Sequence, residues 1–235
     1  MVVDSWADFY VRASRTALAD LADPERAAPM ASYMKDRFAF YGVAAGARRK
    51  AVRDATRDLG PPPDGATLLT MARACWDADQ RELQYTAADA LRRWVGLLDA
   101  ADLGDVDHFI VTKSWWDTVD ILASRVVGPL VQAFPELTAA MDRWVDDQNL
   151  WRRRTAILHQ LSYADRTDTA RLFSSCEARA DEREFFIAKA IGWALREYAK
   201  TDPDAVWTFV DQHQLRLAPL SVREATKHRG PGTGS

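Results

Sequence analysis

The segment Lys113-Ser114-Trp115-Trp116-Asp117-Thr118-Val119-Asp120 concentrates side chains able to do chemistry. Two adjacent tryptophans opening a helix are costly to expose and hard to bury together, because helix neighbours point about 100° apart. The pair is therefore expected to divide, one indole entering the core and the other facing an open surface. Trp116 and Asp120 stand at i and i+4 and share a helix face. Trp193 and Arg154 lie on later helices, so a carboxylate, two indoles and a guanidinium could converge. Indole faces attract cations and the C–H groups of sugars beside positive charge, with cation–π contacts of about 0.5–2 kcal/mol. A carboxylate between them would stabilise developing positive charge and could orient or deprotonate a water. An arginine offers bidentate contact with phosphate. Such a set suits cleavage of a glycosidic bond through an oxocarbenium-like transition state, with one carboxylate in place of two. A second acid is dispensable only when the leaving group is already good. The bland alternatives are an Asp120 paired with a neighbouring lysine or arginine, and a Trp193 used for core packing.

The elements that must position these residues read as helices. Trp6, Phe9, Tyr10, Ala13, Ala17 and Leu21 recur at helical spacing, as do Phe185, Phe186, Ala190, Trp193 and Tyr198. Breaks fall at Asp23-Pro24, at 60–65, at Phe134-Pro135 and at Thr201-Asp202-Pro203. No alternating strand or hairpin turn is visible, so the expected class is all-α. Small-residue pairs also recur: Ala51-Val52, Ala87-Ala88, Ala156-Ile157 and Ala190-Ile191, separated by 36, 69 and 34 residues. The middle interval is close to two periods, which places a further repeat near Ile121. A period near 35 fits stacked two-helix units, each burying its apolar face on the next. The expectation is one domain over 1–229, a helical-repeat superhelix with an extended concave groove, followed by a disordered end at 230–235. Inner helices are expected at 48–58, 82–94, 115–127, 152–162 and 185–199. They carry Arg48, Arg49, Lys50, Arg53 and Arg57, then Arg152, Arg153 and Arg154, then Lys189, Arg196 and Lys200, whereas acids crowd the connections. A basic groove on a mildly acidic chain fits a polyphosphate ligand.

Composition narrows the function classes. In 235 residues, 31 Lys+Arg against 34 Asp+Glu give a formal charge of −3, which excludes a histone-like polycation but not a local basic face. The hydrophobic fraction of 48% argues for a folded core. No apolar run approaches the ~18 residues of a membrane span, and the N-terminus lacks a signal-peptide layout. The two cysteines, Cys75 and Cys176, and four histidines, His108, His159, His213 and His228, form no metal or redox spacing, so a reduced cytoplasmic protein without a metal is expected. Ser32-x-x-Lys35 matches a serine acyl-transfer pattern but lacks the companion motifs.

These residues resemble the AlkD-type DNA alkylpurine glycosylases, built of HEAT-like helical repeats. The matching stretches are Tyr33-Met34-Lys35, Phe38 to Gly42, VTKSWWDTVD (111–120), WRRRTAIL (151–158), EFFIAKAIGWALREYAKT (184–201) and APLSVREATKH (218–228). The resemblance implies excision of cationic N3- and N7-alkylated purines from duplex DNA, without base flipping and without a metal or organic cofactor, by a monomer. It implies Asp120 as the catalytic carboxylate, Trp116 and Trp193 as indoles packing on the lesion's deoxyribose, and Arg154, or next Arg153, as a backbone-phosphate ligand. Lys113, Tyr33, Lys189, Arg196, Arg48 and Arg49 complete the expected DNA contacts. Where the family carries a proline and polar residues after its Phe-x-Gly turn, this chain has Val43-Ala44-Ala45-Gly46-Ala47. Relatives that remove bulky natural-product adducts share the pattern, so lesion size stays open. A non-catalytic repeat scaffold binding DNA or protein is the competing class; it has no need of a carboxylate beside two indoles.

Overall fold

The computed structural model describes residues 5–229. The disordered end expected at 230–235 lies outside them. Among the described residues every regular element is helical, and the one pairing of extended chain is an isolated bridge between Ala39 and Gln80. No helix there is long and apolar enough to cross a membrane. The chain divides into two compact units, the boundary falling after Asp105.

Unit 1 contains α1 (Trp6–Ala19), α2 (Pro24–Tyr33), α3 (Ala45–Ala55), α4 (Gly65–Asp77) and α5 (Arg81–Arg93). Side-chain caps fix three of the starts: Ser5 accepts from the Asp8 amide, Asp23 from Glu25 and Arg26, and Asp64 from Thr67. Trp76, Leu68, Met71, Leu83 and Leu91 form the buried interior. Trp6 stacks on Tyr10 with ring centres 5.0 Å apart, and Trp94 meets both edge-on, which accounts for two more of the tryptophans. The loop before α3 is held by Glu82, a wholly buried carboxylate that accepts from the amides of Tyr41, Gly42 and Val43 at 3.0, 2.9 and 3.1 Å. Gly42 is needed there: its φ is +87°, and a Cβ would lie 2.1 Å from the Asp23 carbonyl oxygen.

The boundary falls within α6 (Leu103–Val111), and unit 2 continues with α7 (Trp116–Leu122), a π-helical turn (Ala123–Val127), α8 (Gly128–Ala133) and α9 (Thr138–Val145). Then follow α10 (Leu150–Leu158), α11 (Thr169–Ala178), α12 (Phe185–Tyr198), α13 (Pro203–Gln212) and α14 (Pro219–Ala225). Its core joins Ile157, Leu158, Leu172, Ile187, Ile191, Leu195, Val206 and Phe209. The small-residue pairs do what the period requires, Ala156, Ile157, Ala190 and Ile191 being 2% exposed or less. Helix α12 packs closely on α14 at Gly192, where a Cβ would stand 2.8 Å from the Ser221 carbonyl oxygen. Contacts one period apart recur through the unit: Tyr163 to Gly128 across 35 residues, Ser221 to Ala188 across 33, Lys189 to Glu224 across 35.

One expected element is divided. The inner helix expected at 115–127 ends its α-helical course at Leu122 and passes through the π turn before α8. Pro129 gives the reason, because it has no N–H to donate and its ring crowds the carbonyl of Arg125 four residues back.

Candidate active site

All four residues of the sequence constellation lie in unit 2. Asp120 is in the last turn of α7, and its carboxylate meets the guanidinium of Arg154 on α10 side by side, with Nε–Oδ1 2.7 Å and Nη2–Oδ2 2.9 Å. Arg154 is 3% exposed and the Asp120 side chain 14%. The remaining Nη1 of Arg154 donates to the backbone carbonyl of Phe186 on α12. One guanidinium thus ties three helices together, and its fork matches the carboxylate in the strongest available geometry.

Burial pushes the Asp120 carboxyl above the usual carboxylate range, while the hydrogen bonds and charge of Arg154 pull it down; Asp117 adds a smaller upward push. A partly buried carboxylate gripped by an arginine is suited to accept a proton or to face a nearby cation. The backbone of Asp120 is pinned too, since Ser124 Oγ donates to its carbonyl at 2.7 Å from within the π turn.

The two adjacent indoles are both half-buried. Trp115 precedes α7 in an extended conformation, and its ring packs against Trp151 and Phe186 with centres 5.8 and 5.0 Å apart. Phe186 also touches Trp151 at 5.1 Å and Phe185 at 5.3 Å, and Phe185 is 57% exposed. Trp116 opens α7 one turn before Asp120. Trp193 lies on α12 seven residues beyond Phe186, hence on the same helix face and roughly 10 Å further along the axis. Its half-buried ring packs against the unit 2 core. Asp120 and Arg154 are in direct contact, Trp116 stands one turn away, and Trp193 is related to them through the face of α12. Among the described residues no cluster of side chains could hold a metal ion.

The family model described as DNA alkylation repair enzyme matches residues 14–228. The chain belongs to that family. A solved structure, a predicted DNA alkylation repair enzyme from Enterococcus faecalis, is 30% identical and superposes with a TM-score of 0.80, covering 89% of this chain and 97% of that one. No match was found among curated proteins.

In this member of the family the cations expected to face phosphate are placed unequally. Arg154 spends all three of its outer nitrogens on Asp120 and Phe186. Arg153 is occupied by Glu182 at 2.8 Å and by the carbonyls of Asp147 and Gln148. Arg48 is 5% exposed and pairs with Asp89 at 2.8 Å. These three, expected as DNA contacts, each hold an acidic partner that helical spacing alone does not reveal. The reason is that each acid lies 29 to 41 residues away, out of reach of helical spacing. Lys189 and Arg196 share Glu224 on α14. Lys113 and Arg49 are exposed, and Tyr33 is 69% exposed. Lys113 takes a left-handed φ of +46°, and the two residues after Met34, Lys35 and Asp36, take +59° and +55°. Backbone of this kind costs roughly 1–3 kcal/mol per residue and clusters at functional sites.

Sequence reasoning brought Asp120 and Arg154 towards one another but did not name their direct ion pair or the Phe186 carbonyl that completes it. The signal was present: the 34-residue separation of Asp120 and Arg154 is the repeat period itself. Aromatic residues Trp151 and Phe186 were likewise not picked out.

Proposed function

We propose that the chain is a DNA glycosylase that hydrolyses the N-glycosidic bond of cationic N3- and N7-alkylated purines in duplex DNA, with Asp120 as the catalytic carboxylate. The observation that carries this reading is the semi-buried Asp120, gripped and oriented by Arg154 one turn from Trp116. An alkylated purine already bears positive charge. When its bond to C1′ breaks, the base leaves with the electron pair and becomes neutral, and the positive charge passes to the sugar. Asp120 faces that charge in a partly desolvated setting, where electrostatic stabilisation is stronger than in water. Trp116 and Trp193 lend indole faces to the deoxyribose. Water then adds to C1′, and its proton goes to Asp120 or to solvent. Arg154 acts through Asp120 and is a positioning residue, whereas Lys113, Arg49 and Tyr33, being exposed, are the DNA contacts.

A non-catalytic scaffold is favoured by one observation, the complete pairing of Asp120 with an arginine, which is also how a structural ion pair looks. The two readings separate in one experiment. Purified protein is incubated with DNA bearing methylated purines, and free 7-methylguanine and 3-methyladenine are measured by chromatography. Wild type is expected to release base, and Asp120→Asn to release it at least ~100-fold more slowly with DNA affinity retained. Equal release by both would remove Asp120 from its role, and no release by wild type would leave the scaffold.

A further inference from the structure

Helix α12 leaves one stripe open. From Phe186 to Arg196 every residue is buried except Phe186, Lys189, Trp193 and Arg196, which recur at steps of three and four and share one face. Trp193 is therefore bracketed by two cations, one four residues before it and one three after. Long helical side chains lean towards the helix N-terminus, so the indole leans over Lys189 and Arg196 leans over the indole. A cation within about 6 Å of a ring centre is held there by cation–π attraction, as Arg93 is over Trp94 at 4.8 Å. Trp193 carries no such cover: among the described residues no lysine or arginine lies over its ring.

Glu224 on α14 draws both cations away. Its Oε1 accepts from Lys189 Nζ at 2.6 Å and its Oε2 accepts from Arg196 Nη1, which also donates to the Glu224 carbonyl oxygen at 3.4 Å. One carboxylate thus gives one oxygen to each neighbour of the indole. It stands beside the residue preceding Trp193, since a Cβ on Gly192 would lie 2.5 Å from the Glu224 Cβ. Lys189 above all holds the Glu224 carboxyl below the usual carboxylate range, against the opposing effect of burial, so the carboxylate stays charged. The two helices do not need this ion pair to meet: Ser221 Oγ donates to the Ala188 carbonyl at 2.8 Å, and Gly192 allows the close approach.

We propose that Glu224 is a positioning residue that fastens Lys189 and Arg196 to the α14 side of the stripe and keeps the Trp193 indole open to a positively charged deoxyribose; this rests on the reading that Trp193 packs on the sugar of the lesion. A cation resting on the ring would fill the face the sugar needs and repel its developing charge.

The test is Glu224→Gln, which keeps the shape and removes the charge. It deprives Lys189 of its carboxylate, whereas Arg196 retains the Glu224 main-chain carbonyl. Six lysines are few enough for NMR of protein labelled with carbon-13 at lysine Cε. In the variant the Lys189 ε-methylene protons should move upfield into the ring current of Trp193, and Glu224→Gln/Trp193→Leu should abolish that movement. At saturating methylated DNA, Glu224→Gln should release base about two- to fivefold more slowly than wild type, the range of one exposed cation–π contact, with affinity for undamaged duplex no weaker. Against a Trp193→Leu background the same substitution should slow release no further, because the indole it protects is gone. Lysine signals that stay in place would overturn the proposal, and so would an unchanged rate. Equal slowing with and without Trp193, together with a lower melting temperature, would overturn it in favour of a purely structural ion pair. The spectrum does not read base release, so an upfield shift with no release by wild type would refute the glycosylase reading and leave the Glu224 contact standing.

Discussion

Replacing Arg154 by methionine keeps most of its volume and deletes its charge, which makes it the most revealing change in the molecule. Arg154 is 3% exposed, and its partner carboxylate 14%. Removing one member of a pair this buried strands the other and costs about 3–5 kcal/mol. At roughly 2–4 °C per kcal/mol for a protein of this size, the melting temperature should fall by about 6–20 °C. Asp120→Asn/Arg154→Met removes both charges together, so its cost should be smaller than the sum of the two single variants by about 2–3 kcal/mol. Urea unfolding of wild type, both single variants and the double variant measures that difference. Activity supplies a second readout. Burial raises the Asp120 carboxyl and Arg154 is its principal opponent. Without the guanidinium the acid limb of the base-release profile should move to higher pH, since Asp120 must be ionised to act. Additive stability losses, or an acid limb that stays in place, would refute the argument that Arg154 works through Asp120.

His159 offers a pH test that does not involve catalysis. It is 2% exposed, its Nδ1–H donates to the Ala156 carbonyl at 2.7 Å, and burial depresses its pKa to about 4. A depressed pKa means that stability is fully present above the unfolded value near 6.5 and is lost as pH falls towards 4. The loss should approach about 3 kcal/mol between those limits. His159→Gln should flatten this part of the stability–pH curve, and an unchanged curve would place the titration elsewhere. In unit 1, Glu82→Ala should cost at least ~3 kcal/mol, because it strands the amides of Tyr41, Gly42 and Val43. A cost under about 1 kcal/mol by denaturant unfolding would show that water replaces the carboxylate there.

Several features were legible in the residue order because they depend on local periodicity. Helix type follows from apolar spacing, and the caps Asp23, Asp64 and Asp202 stand where their acids precede a helical run. The repeat of about 35 residues is real chemistry as well as pattern, since hydrogen bonds join positions 33 and 35 apart through unit 2. The shared face of Trp116 and Asp120 needs only the pitch of a helix. What the order of residues did not reveal was the pairing of charge. Arg48, Arg153 and Arg154 read as cations on one phase, and the fold pairs them with Asp89 on α5, Glu182 in the connection before α12 and Asp120 on α7. The break of the 115–127 helix at a π turn was likewise unseen, although Pro129 marks it.

By itself the sequence determined which residues form helices, which faces are apolar and which side chains carry chemical capacity, because those properties act within one or two helical turns. Only the tertiary structure decided which arginines are spent and which are exposed, because an ion pair depends on the few ångströms between helices that chain distance does not encode. Arg154 shows this most clearly, its 34-residue separation from Asp120 closing to 2.7 Å when α7 and α10 pack side by side.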